Sequence, residues 1–125
     1  MSFDWREYLE LARYLAGMGG TLYSPEAAYR SAVSRAYYAA FCWARNYAAI
    51  KLGFKPQKSP DDHRRLREHL KSQGYVGLAS NLNKLREWRN NCDYDDEVPG
   101  LDSRVCASIE VANKIIQACR YHVSR

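Results

Sequence analysis

Apolar residues recur every three or four positions along nearly the whole chain, and no stretch alternates apolar and polar positions as a half-buried strand would. The pattern predicts an all-α protein. Trp5, Tyr8, Leu9, Ala12 and Leu15 share one face of a first helix running from about Ser2 to Ala16, and Gly17, Gly19 and Gly20 end it. Ser24-Pro25-Glu26 then supplies an N-cap, a proline suited to the first helical position and an early acid. The second helix they open extends to Lys51-Leu52, where Gly53 stops it. Its apolar arc, Val33, Ala36, Tyr37, Ala40, Phe41, Ala44, Tyr47 and Ala48, is too wide for a single neighbour, which places this helix at the centre.

Ser59-Pro60-Asp61-Asp62 repeats the cap, proline and acid pattern and opens a short third helix that ends near Gln73-Gly74. A fourth runs from about Tyr75 to Cys92, followed by the acidic loop Asp93 to Gly100. Asp102 or Ser103 caps a last helix whose stripe is Val105, Ile109, Ala112, Ile116, Cys119 and Val123. Five helices with short connections predict an up-and-down bundle in one domain spanning residues 1–125.

The fourth helix breaks its own rule at one position. Leu78, Leu82, Leu85 and Cys92 form its stripe, and Arg89 falls where another apolar residue is required. A guanidinium facing a helix seam must find a partner there, because an unpaired buried charge is strongly unfavourable. Asp93, four residues on, offers one such partner as an intrahelical ion pair worth a few tenths of a kcal/mol.

Composition narrows the classes. With 46% hydrophobic and 26% charged residues the chain has an ordinary globular balance rather than a disordered one. Asp4, Trp5, Arg6 and Glu7 interrupt any signal-peptide core, and no run approaches the roughly 20 apolar residues of a bilayer span. The expectation is a cytoplasmic protein that does not enter a membrane. Cys42, Cys92, Cys106 and Cys119 show no C-x-x-C spacing and no adjacent histidine pair, which predicts free thiols and no metal site. Asp93, Asp95, Asp96 and Glu97 match no cation-loop spacing and read as a solvated turn. The net charge of +5 is concentrated between Lys51 and Lys71, where a basic patch would attract a polyanion or simply form a solvated helix face.

Two segments together resemble a known family. Ser34-Arg35-Ala36-Tyr37-Tyr38-Ala39-Ala40-Phe41 is similar to the S-R-A-Y-Y-A-x-F block of small stand-alone HEPN-domain proteins. Arg89-Asn90-Asn91-Cys92-Asp93-Tyr94-Asp95 resembles their R-N-x-A-D-Y-D block, with Cys92 at a small-residue position. The resemblance implies a helical homodimer, often paired with a minimal nucleotidyltransferase in a toxin–antitoxin or defence system, and no cofactor. It also implies metal-independent endoribonuclease chemistry through an R-x4–6-H motif. There an arginine holds the scissile phosphate and a histidine moves the proton as the ribose 2′-hydroxyl attacks.

Arg89 and Asn90 match the first two elements of that motif, but Tyr94, Asp95 and Asp96 occupy the positions allowed to its histidine. Tyrosine is a poor general base at neutral pH. His63, in the first turn of the third helix, is the candidate replacement, although its spacing to Leu66 and Leu70 also suits an ordinary partly buried histidine. The candidate catalytic set is therefore Arg89, Asn90, Tyr94 and His63, with Lys58, Arg64, Arg65 and Arg86 as candidate nucleic-acid contacts. The leading expectation is RNA or nucleotide binding at this set, with endoribonuclease activity as its catalytic form; the competing expectation is a non-catalytic interaction module in which Arg89 only fastens a helix end. Tyr38 and Cys42, on the less apolar side of the central helix, are expected to supply dimer surface.

Overall fold

The computed structural model describes residues 3–18 and 25–123 and contains five helices: α1 (Arg6–Met18), α2 (Pro25–Lys51), α3 (Asp62–Ser72), α4 (Val76–Tyr94) and α5 (Leu101–Val123). No strand occurs among the described residues. α2 packs against all four other helices, α5 also packs on α1 and α4, and α3 packs on α4. Every residue of the predicted α2 arc is buried, and Ala32, Ala39 and Cys42 widen it further. Its alanines let the neighbouring helices approach closely, while Tyr37, Phe41 and Tyr47 fill the space between them.

The stripes of the other helices converge on the same core. Leu9 and Ala12 of α1, Leu66 and Leu70 of α3, Leu82 and Leu85 of α4, and Val105, Ala112, Ile116 and Cys119 of α5 are all buried. Cys106 instead lies exposed on α5, off the stripe that holds Cys119. The expected Ser24 cap and the side chain of Val123 lie outside the described residues.

Several boundaries differ from the pattern by a turn or less. α1 continues through Gly17 to Met18. α3 starts at Asp62 rather than at Pro60, since Asp62 turns its carboxylate back to the loop and accepts the Gln57 and Lys58 amides at 3.0 and 2.9 Å. The end of α3 follows its glycine: Gly74 has φ +90°, Tyr75 N–H reaches the Leu70 carbonyl at 2.8 Å, and Gly74 N–H reaches that of Lys71 at 3.1 Å. His69 Nε2 donates to the Leu52 carbonyl at 2.6 Å, tying α3 to the end of α2.

α4 extends two residues beyond Cys92, and its end is held from outside. Arg30 on α2 donates to the backbone carbonyls of Cys92 (2.8 Å), Asp95 (2.6 Å) and Asp96 (3.0 Å), and pairs with Glu26 at 2.9 Å. These acceptors include C-terminal carbonyls that a helix leaves unsatisfied.

Candidate functional site

Consecutive tyrosines on α2 organise the site. Tyr37 is buried and its Oη hydrogen-bonds His63 Nδ1 on α3. Tyr38 is half-buried and its Oη accepts from Arg89 Nη2 on α4 at 2.6 Å. The Arg89 guanidinium also lies 5.2 Å from the Tyr38 ring centre and 5.8 Å from that of Tyr37, within cation–π range of both. His63 stacks on Phe41 at 3.9 Å, so an aromatic surface fixes the imidazole plane.

Arg89 is 20% exposed, as a charged side chain at a stripe position should be. Its Nη1 donates to Asn90 Oδ1 at 2.9 Å. Its Nε lies 3.0 Å from Asp93 Oδ2 but is not aligned for a hydrogen bond and is otherwise buried without an acceptor. A guanidinium has five N–H groups, and the bonds to Asn90 and Tyr38 engage two of them. Donors therefore remain for a planar oxyanion.

The local field is cationic. Arg67 follows His63 by one helical turn and donates to its carbonyl at 3.1 Å, while Arg86 precedes Arg89 by three residues and donates to Asn83 Oδ1 at 3.0 Å. Among the described residues neither Arg67 nor Arg86 forms an ion pair. Burial, then the neighbouring Arg86, lowers the Arg67 pKa from its ordinary value. Burial, followed by the charges of Arg89 and Arg67, pulls the His63 pKa below 6.5 against the weaker pull of Asp62. The imidazole is thus neutral at pH 7. When its Nδ1–H is donated to Tyr37, Nε2 is the basic nitrogen. Burial raises the Tyr37 pKa above its ordinary value, so its hydroxyl keeps its proton.

Two surface cavities flank this cluster. One, of about 490 Å³, is lined by Arg64, Arg67, Lys71 and Asn83. The other, of about 510 Å³, lies between α1, α2 and the loop before α3 and includes both Tyr38 and His63.

The candidate residues separate accordingly. Arg89, Asn90, His63 and Arg86 gather around the tyrosine pair. Tyr94 does not join them; it is 74% exposed at the last position of α4. Lys58 stands exposed on the rim of the second cavity. Arg64 is exposed and tied to Asp61 and Glu68, whereas Arg65 is committed to the buried Asp62 at 2.6 Å and to the Lys55 carbonyl. Cys42 is 4% exposed and supplies almost no surface, contrary to expectation, whereas Tyr38 is half-buried and bonded to Arg89. Tyr37, Tyr38 and Arg67 escaped selection as site residues, although Arg67 shares a helix face with His63 and both tyrosines stood in the recognised block. Among the described residues no three His, Cys, Asp or Glu side chains gather as metal ligands.

The HEPN domain family matches residues 6–122, nearly the whole chain and all five helices. The chain belongs to the HEPN domain family. Comparison with curated proteins and with solved structures returned no match. Membership supports a nucleotide- or RNA-related role. Among the described residues of this HEPN chain, no helix is long and apolar enough to cross a membrane.

Proposed function

We propose that the protein binds RNA through a phosphate held by Arg89, and that it is a metal-independent endoribonuclease in which His63 replaces the histidine missing from the motif. The supporting observation is the convergence of Arg89 and His63 on adjacent tyrosines, with Arg67 and Arg86 alongside and unpaired with any described carboxylate. Arg89 would grip two phosphate oxygens while Asn90 holds its orientation. Neutral His63 would accept the 2′-hydroxyl proton as that oxygen attacks phosphorus. The 5′-oxygen leaves and takes a proton from solvent, giving a 2′,3′-cyclic phosphate and a free 5′-hydroxyl. The basic face of α3 would guide the polyanion.

The biological setting we propose is a homodimer in a toxin–antitoxin or defence pair with a nucleotidyltransferase, operating in the cytoplasm. Tyr94, exposed beside the site's helix end, is accessible to such a partner. One observation favours the non-catalytic alternative: the Arg89–Asp93 pair at 3.0 Å together with the Tyr38 bond would fasten α4 to α2 without any ligand.

Single-stranded RNA incubated with the partner-free protein in chelator tests the proposal. The expected result is cleavage to cyclic-phosphate ends, abolished by Arg89→Ala and by His63→Ala, with both variants folded. Intact RNA with the wild-type protein would overturn the nuclease assignment. Arg89→Ala losing about 1–3 kcal/mol of stability with no activity to lose would establish the fastener.

A further inference from the structure

The second cavity holds features that the Arg89 centre does not use. Arg35 lies between two rings, its Cζ 4.9 Å from the Tyr8 ring centre and 5.2 Å from that of Tyr38. Arg45 is placed similarly, 5.6 Å from Trp5 and 5.9 Å from Phe41. Stacking on rings fixes each guanidinium plane and leaves its N–H edge for an acceptor. Among the described residues neither arginine has an ion-pair partner; Arg45 donates only to the Asn46 amide, at 3.1 Å, and Arg35 only to Ser34 Oγ, at 3.5 Å.

Among the described residues the only carboxylate lining the cavity, Asp62, is 4% exposed and engaged by Arg65 and the Gln57 and Lys58 amides. Arg35, Arg45 and Lys58 are therefore uncompensated around an aromatic floor. A groove that combines cations with ring and guanidinium faces suits an unpaired nucleobase and its phosphate, because a base stacks on either kind of face whatever its sequence. A duplex keeps its bases stacked on each other and cannot offer one.

Tyr38 links the groove to the centre. It lines the cavity and its hydroxyl accepts from Arg89, while His63 lines the same cavity. We infer that this groove is a subsite for the unpaired nucleotide next to the phosphate on Arg89. The inference rests on the RNA-binding reading of Arg89 and adds a second point of contact to it.

Fluorescence anisotropy with a labelled single-stranded oligouridylate, its duplex with a complementary strand, and an oligonucleotide of equal charge carrying abasic positions tests this. The variants are Arg35→Gln and Arg45→Gln, with Arg13→Gln on the outer face of α1 as the charge control and circular dichroism to verify folding. The single strand should bind roughly tenfold more tightly than the abasic probe, and more tightly than the duplex. Arg35→Gln and Arg45→Gln should each weaken binding and lower the salt dependence by about 0.7 in log–log slope, whereas Arg13→Gln should match the wild type. Equal affinity for the abasic probe or the duplex would overturn the subsite. So would groove variants indistinguishable from Arg13→Gln while wild-type RNA binding persists, and the Arg89 reading would then stand alone. No RNA binding by the wild type would overturn both.

Discussion

Tyr38 Oη accepts a 2.6 Å hydrogen bond from Arg89 Nη2, joining the central helix to the one charged residue in the α4 stripe. Tyr38→Phe keeps the ring beneath the guanidinium and removes only this acceptor. The expected cost is about 1–3 kcal/mol, the range for losing a hydrogen bond to a charged group. RNA cleavage should fall by about 100-fold, as expected when a phosphate-holding group loses its orientation. Urea unfolding and a cleavage assay measure the two effects separately.

His63 makes stability depend on pH in a defined direction. Its folded pKa lies below the unfolded value of 6.5, so the unfolded chain binds the proton more readily. The contribution is complete above about pH 6.5 and is lost as pH falls through the lower folded value. The melting temperature should therefore drop between pH 7.5 and pH 5. His63→Asn, whose amide N–H can replace the donor to Tyr37 but does not titrate, should show a flatter profile; an identical slope in the two proteins would remove His63 as the cause.

Arg30→Met should loosen the last turn of α4. It removes the donors to the Cys92, Asp95 and Asp96 carbonyls while preserving much of the aliphatic stem. A loss of about 1–3 kcal/mol is expected. Amide exchange should accelerate first at Asp95, whose N–H bonds the Asn91 carbonyl at 3.0 Å.

Asp62→Asn should destabilise the loop that bears Lys58. Burial alone would push the Asp62 pKa up, but the Gln57, Lys58 and Ser59 amides and Arg65 together lower it from 3.8. That stability is present above the unfolded value and lost as pH falls through the folded one. Acid unfolding monitored by circular dichroism should accordingly begin at higher pH in wild type than its neutral-pH stability relative to the variant would suggest. Near neutrality, the variant should be less stable by about 2 kcal/mol.

Periodicity revealed much of this molecule. The breadth of the Val33 to Ala48 arc placed α2 centrally, and the break in the α4 stripe singled out Arg89 before any contact was visible. Tyr94 was misplaced because α4 continues through it: five helical residues turn a side chain about 140° around the axis, away from Arg89. The partners of Arg89 and His63 on α2 could not be read from spacing, since docking of separate helices decides which hydroxyl each one meets. Arg30 was hidden for the same reason, its acceptors being backbone carbonyls that any sequence would provide.

Residues joined at the centre lie far apart along the chain, 51 positions for Tyr38 and Arg89 and 26 for Tyr37 and His63. The centre consequently exists only when α2, α3 and α4 have all docked. A partly folded chain that had assembled α1, α2 and α5 would retain most of its helical signal and yet present no paired arginine and imidazole. Occupancy of the centre therefore counts molecules in which these three helices are assembled, and during denaturation it should vanish with the detachment of either α3 or α4, ahead of the ellipticity.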